Sequence, residues 1–87
     1  MKTYLPIGSV VLLKEGKKKI MIYGRRQKSV KSDVEYDYVA CLYPEGNISE
    51  KFTFLFNEDN IENVVFRGYS DAEDEAFVNA LNNIKNK

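Results

Sequence analysis

The sequence predicts an α+β domain: a five-stranded antiparallel meander, strongly bent or closed into an SH3-like small barrel, capped by one C-terminal helix. Three observations predict it. Five short apolar runs between Val10 and Phe66 are rich in β-branched and aromatic residues, and turn residues separate them. Beyond Gly68 the apolar spacing changes from two to nearly four. The chain's 87 residues are enough for one domain, 1–87, and too few for two.

The first strand, 9–14, holds the run Val10 to Leu13, which reads as a strand with both faces covered. Glu15-Gly16-Lys17 is a turn signal, with Gly16 free to take a positive φ. The second strand, 19–26, puts Ile20 and Ile22 on one face and Met21 and Tyr23 on the other. The two strands form a hairpin, and Gly24 sits where a bulge or bend is expected. The polar stretch from Arg26 to Asp33 reads as a loop.

The third strand, 34–43, is the longest. Val34, Tyr36, Tyr38, Ala40 and Leu42 share a face, while Glu35, Asp37, Val39, Cys41 and Tyr43 run from polar to apolar on the other. That gradient describes a strand entering the core from an exposed end. Pro44-Glu45-Gly46-Asn47 is a turn signal. The fourth strand, 51–56, alternates aromatics at Phe52, Phe54 and Phe56. Asn57 to Asn60 breaks it, and the fifth strand, 61–67, stops before Gly68. Gly24 and Gly68 could supply the bends that curl such a sheet, and closure into a barrel would remove its exposed edges.

The helix is expected over 71–85. Ser70 with Glu73 three residues on has the pattern of a capping box, and Asp71, Glu73, Asp74 and Glu75 place negative charge where the helix dipole favours it. Phe77, Leu81 and Ile84 form a stripe expected to lie on the sheet, and Lys85 and Lys87 put positive charge at the helix C-terminus.

Composition narrows the chemistry. There is no histidine, so the usual neutral-pH base, the commonest metal ligand and the Ser-His and Cys-His pairs are missing. Cys41 is the one cysteine; it permits no intramolecular disulfide and no thiolate zinc site, and it fits a reducing cytoplasm. Its setting, Val39-Ala40-Cys41-Leu42, is that of a buried thiol. No Gly-rich phosphate loop is present. The stretch from Asn57 does not fit a calcium loop: Ile61 takes a ligand place, Glu62 the glycine place and Gly68 the place of the final Glu. The Asp71–Glu75 cluster reads as dipole compensation rather than a cation site. No cofactor and no metal are expected, and the chain reads as non-enzymatic. The N-terminus lacks a signal-peptide apolar region, and no apolar run approaches the length of a spanning helix, so a cytoplasmic protein with no membrane role is expected.

Thirteen basic and thirteen acidic residues cancel, but unevenly. Lys14, Lys17, Lys18, Lys19, Arg25, Arg26, Lys28 and Lys31 cluster with only Glu15 among them, and the other acids lie from Asp33 onward. One reading of the segment Lys14–Lys31 is a nucleic-acid-binding face on a small barrel. The neutral total, the acidic second half and the hairpin geometry weigh against it. Tyr23, Tyr36, Tyr38, Tyr43 and Tyr69 read either as half-buried packing or as a protein-binding surface, where tyrosine is enriched. The candidate binding set is Tyr23, Arg25, Arg26, Tyr36, Asp37 and Tyr38, an amphipathic surface for a protein partner.

Three segments carry a resemblance. They are Leu5-Pro6-Ile7-Gly8-Ser9-Val10-Val11-Leu12-Leu13 with Gly16 to Lys19 and Met21 to Arg25; Tyr36-Asp37-Tyr38-Val39-Ala40-Cys41-Leu42-Tyr43-Pro44-Glu45-Gly46; and Phe54, Phe56 with Val65 to Tyr69. In order and spacing the chain up to the helix resembles the bacterial family catalogued as domain of unknown function 4176. The resemblance implies a protein of Gram-positive bacteria, mostly Firmicutes, from loci of the type VII secretion system and its LXG toxins. It implies a small cytosolic accessory protein, a toxin-binding chaperone or adaptor. It brings no catalytic residues. Tyr36, Asp37, Tyr38, Pro44, Glu45 and Gly46 are its conspicuous matched positions, functional or structural.

Overall fold

A computed structural model describes residues 3–84. Its strands are β1 (Val10–Leu13), β2 (Ile20–Lys28), β3 (Glu35–Leu42), β4 (Phe54–Phe56) and β5 (Ile61–Phe66), and one helix follows, α1 (Ala72–Asn83). All pairings are antiparallel, and the strand order is β4-β3-β2-β1-β5. The first four strands run as a meander, and β5 joins beside β1.

The sheet is strongly bent, and it is not closed into a barrel. Bending follows from chain length. Across a flat sheet of five strands the outer two lie about 19 Å apart. They are joined here by Asn57–Asn60 alone, of which Glu58–Asn60 form a 3-10 turn. Fully stretched, the five steps from Phe56 to Ile61 span at most about 18 Å, and a tight turn shortens that reach. Yet β4 and β5 do not pair, so the sheet keeps two edges. Of the two forms the sequence left open, the bent sheet is the one found.

The concave face holds the core. Tyr4, Leu5, Val11, Ile20, Ile22, Tyr38, Ala40, Phe56 and Leu81 are buried together, with Leu13, Phe54, Ile61 and Val78 packed against them. The alternation expected in β2 and β3 holds, since Ile20, Ile22, Tyr38 and Ala40 all point inward. β3 enters the core as its gradient implied, from exposed Glu35 to buried Val39, Ala40 and Cys41.

Local details differ from the sequence reading for identifiable reasons. The positive φ in the first turn falls on Glu15, at 65°, while Gly16 donates its N–H to the Leu13 carbonyl. β2 continues to Lys28 because Arg25, Gln27 and Lys28 pair with Tyr38, Tyr36 and Glu35. Its register shifts between Ile22 and Gly24, the expected bulge, and Arg26 takes a φ of 54°. β4 is short at its start because Ser49 caps a 3-10 turn over Glu50–Phe52, its hydroxyl accepting from the Lys51 N–H at 3.1 Å. The Tyr43–Pro44 peptide is cis, and Gly46, at φ 83°, closes the following turn on the Leu42 carbonyl.

The helix cap is Asp71, not Ser70: the Asp71 carboxylate accepts from the Asp74 N–H at 3.0 Å, and Ser70 instead donates to the Asp74 carboxylate. The expected stripe is only partly used. Leu81 is buried with Val78 beside it, but Phe77 is 54% exposed and Ile84 lies past the helix end. The helix is oriented by polar contacts as much as by that stripe. Arg25 pairs with Asp74, and Arg26 donates to the Leu81 carbonyl at 2.5 Å. Lys85 and Lys87, expected at the helix terminus, lie outside the described residues.

Candidate functional site

The predicted site residues divide into three groups. Tyr38 and Arg25 are interior. Tyr38 is wholly buried; its hydroxyl accepts from the Leu5 N–H at 2.9 Å and donates to Glu58 Oε1 at 2.6 Å. Its ring meets Tyr4 edge-on at 6.1 Å and Phe56 at 5.5 Å. Burial, and then the bond to Glu58, push the Tyr38 hydroxyl pKa well above its ordinary value. The Arg25 side chain is 2% exposed, lies 5.7 Å from the Phe77 ring centroid and bonds Asp74. Asp74 is held below the usual carboxylate range, chiefly by that guanidinium.

Arg26, Tyr36 and Asp37 are brought together in a hollow of about 380 Å³, with Tyr4, Glu35 and Leu81. Two of them also tie the structure. Arg26 bonds Glu35 at 3.2 Å as well as the helix. Asp37 accepts from the Glu58 N–H at 2.8 Å and donates its own N–H to Asn57 at 3.0 Å. Asp37 and Tyr38 together therefore clamp the turn that joins the two sheet edges. Tyr23 stands apart, partly exposed on β2.

The basic segment does not form one patch. Lys17, Lys18 and Lys19 sit at the hairpin end, with Lys18 paired to Glu45 at 2.9 Å. Arg25 is interior, and Lys28 lies roughly 26 Å along β2 from Ile20 by strand rise.

A surface missed by the sequence reading lies on the convex face. Cys41 pairs with Met21, Met21 with Val10, and Val10 with Phe66, so one row of apolar side chains crosses four strands. Cys41 and Val10 are buried in this row, while Phe66 at its end is 60% exposed. Val10, Met21 and Phe66 join Gly8, Lys19, Tyr43 and Val65 around a hollow of about 450 Å³. Lys19 Nζ lies 6.0 Å from the Tyr43 ring centroid and adds the charge at its rim. α1 contributes its buried residues to the opposite face, so both-sided cover of β1 is not provided by a helix. The signal was present in sequence: apolar residues occupy both faces of β1, β2 and β3, and a single helix can cover only one.

Among the described residues no group of three or more Cys, Asp or Glu side chains could hold a metal, and no helix is long and apolar enough to cross a membrane. The fold and this surface define a small bent-sheet α+β domain whose core takes Leu81 and Val78 from the helix, and whose opposite face carries an apolar row buried at Cys41 and Val10 and exposed at Phe66. The chain belongs to the DUF4176 family, a domain of unknown function, whose match spans residues 4–77. No curated protein and no solved structure matches it.

Proposed function

We propose that the chain is a non-catalytic protein-binding module, a cytosolic adaptor or chaperone for toxins of the type VII secretion system. The observation that supports this reading is the exposed apolar group Phe66, Val65 and Tyr43 beside half-buried Met21, at the open end of the row that Cys41 and Val10 begin. Apolar side chains gathered at a concave place on a surface gain free energy when a partner removes them from water, at about 25 cal/mol per Å². An aromatic anchor beside a hollow with a charged rim is the arrangement that protein interfaces favour. The secretion-toxin partner is what the resemblance to the family implies, and the surface is suited to it as an apolar segment of a client.

The test is co-purification. The tagged chain is expressed with the toxin encoded beside it, alongside Met21→Glu and Phe66→Asp variants. The expected result is capture by the wild type and loss of capture by both variants, with unchanged circular dichroism. Capture that survives both substitutions overturns the assignment of this face, and no capture by the wild type overturns the toxin reading.

A further inference from the structure

We infer that β5 is a pairing edge for a second copy of this chain, giving a symmetric dimer with β5 antiparallel to β5. This goes beyond the reading above, which uses the face of the sheet rather than its edge. β5 is six residues long and lies at the end of the sheet, and every residue after Ile61 is exposed. Its outer side has no strand partner among the described residues. The opposite edge, β4, has only three residues. An open edge with apolar side chains is a template for another strand. β5 has Val64, Val65 and Phe66 in its second half and no proline or lysine to block pairing. Its two register shifts against β1 place the extra residues, Glu62 and Val65, in β5 itself, so β5 is a bulged edge.

Charge selects the occupant. Exposed Glu58, Asp59 and Glu62 lie at the N-terminal end of β5, and exposed Arg67 follows its C-terminal end. Such a strand is complementary to itself only when antiparallel. Each Arg67 then lies alongside the acidic end of the other copy, whereas parallel pairing would set like charges together. A twofold axis near Val64 imposes the antiparallel arrangement by symmetry.

The experiment is sedimentation velocity on the full chain from about 1 to about 300 μM, with amide exchange measured at both limits. The expected mass rises with concentration toward about 20 kDa, twice the 10.1 kDa chain, and the β5 amides gain protection as it does. Arg67→Glu should raise the dimer Kd about fivefold to tenfold at low salt, and adding Glu62→Arg should restore it. Met21→Glu, on the sheet face, should leave the dimer unchanged while abolishing capture of a client, which separates this inference from the functional reading. A chain of 10.1 kDa at every concentration overturns the proposal and leaves the edge to a strand of another protein. A dimer with unprotected β5 amides, or one indifferent to Arg67→Glu, uses another surface and overturns it equally.

Discussion

The Tyr38 hydroxyl donates to Glu58 Oε1 at 2.6 Å, binding the centre of β3 to the turn that carries the chain from one sheet edge to the other. The same hydroxyl accepts from the Leu5 N–H, so one side chain fixes three segments. Tyr38→Phe removes both bonds and leaves a buried N–H unpaired, at an expected cost of about 1–3 kcal/mol in urea unfolding at pH 7. The pH dependence has a definite sign. Burial and Glu58 hold the hydroxyl neutral in the folded state, so its pKa is raised there. The stabilisation is complete below about pH 10, the unfolded value, and is lost as pH rises beyond it. Tyr38→Phe should therefore lose less stability than the wild type between pH 9 and pH 12. Parallel alkaline limbs for the two proteins would show that the hydroxyl does not act this way.

A second prediction concerns Arg25 and Asp74. Two guanidinium nitrogens of Arg25, Nε and Nη1, are buried without a partner, so Asp74 is the principal compensation for that charge. Asp74→Ala should cost about 3 kcal/mol, because it leaves an uncompensated buried cation. Arg25→Met combined with Asp74→Leu should recover most of that loss, since an apolar pair of similar size replaces the ions. The Asp74 carboxyl is depressed in the folded state, first by Arg25 and also by Ser70. Its contribution is present above about pH 4 and disappears as pH falls through the lower folded value. Thermal unfolding of Asp74→Asn from pH 6 to pH 2 should show a flatter acid limb than the wild type.

These two residues also mark how far the sequence could be read. Period-two alternation in β2 and β3 placed Ile20, Ile22, Tyr38 and Ala40 on one face, and all four are in the core. Strand and helix identity were legible because local pattern and tertiary burial agree there. The role of Arg25 was not, because a basic residue in a basic stretch gives no sign that a helix 49 positions later will cover it. Asp37 and Tyr38 were singled out for a surface, but their side chains bond Glu58, a long-range pairing with no local signature. The convex row was missed for a different reason. Each strand showed apolar residues on both faces, but the register that brings Phe66 beside Val10 depends on a bulge in β5 that residue spacing does not reveal.

A third prediction rests on Gly68. A Cβ at this position would lie 2.4 Å from the Ile7 carbonyl oxygen and 3.0 Å from the Ser9 nitrogen, both backbone atoms. The Gly68 N–H also donates to the buried Ser9 hydroxyl at 2.9 Å. The approach of the two segments therefore requires glycine. Gly68→Ala should destabilise by about 2–3 kcal/mol as β5 and the N-terminal segment are forced apart. Gly46→Ala meets no atom within 4 Å, and its cost comes from the φ of 83° alone, about 1 kcal/mol. Chemical denaturation of both variants orders the two effects, and equal costs would contradict the close contact.

The fourth prediction separates folding from binding on the convex face. Phe66 is mostly exposed at the end of the sheet, so Phe66→Asp removes little buried area and should change stability by less than about 1 kcal/mol. Val11 is fully buried in the neighbouring strand, on the opposite face. Val11→Ala should cost about 2 kcal/mol through the cavity it opens. A dye that fluoresces on apolar surfaces should bind the wild-type native state through the hollow around Met21, Val65 and Phe66, and Phe66→Asp should reduce that signal without shifting the unfolding midpoint. If Phe66→Asp instead unfolds the domain as Val11→Ala weakens it, the convex row belongs to the core, and the face is not free for a partner.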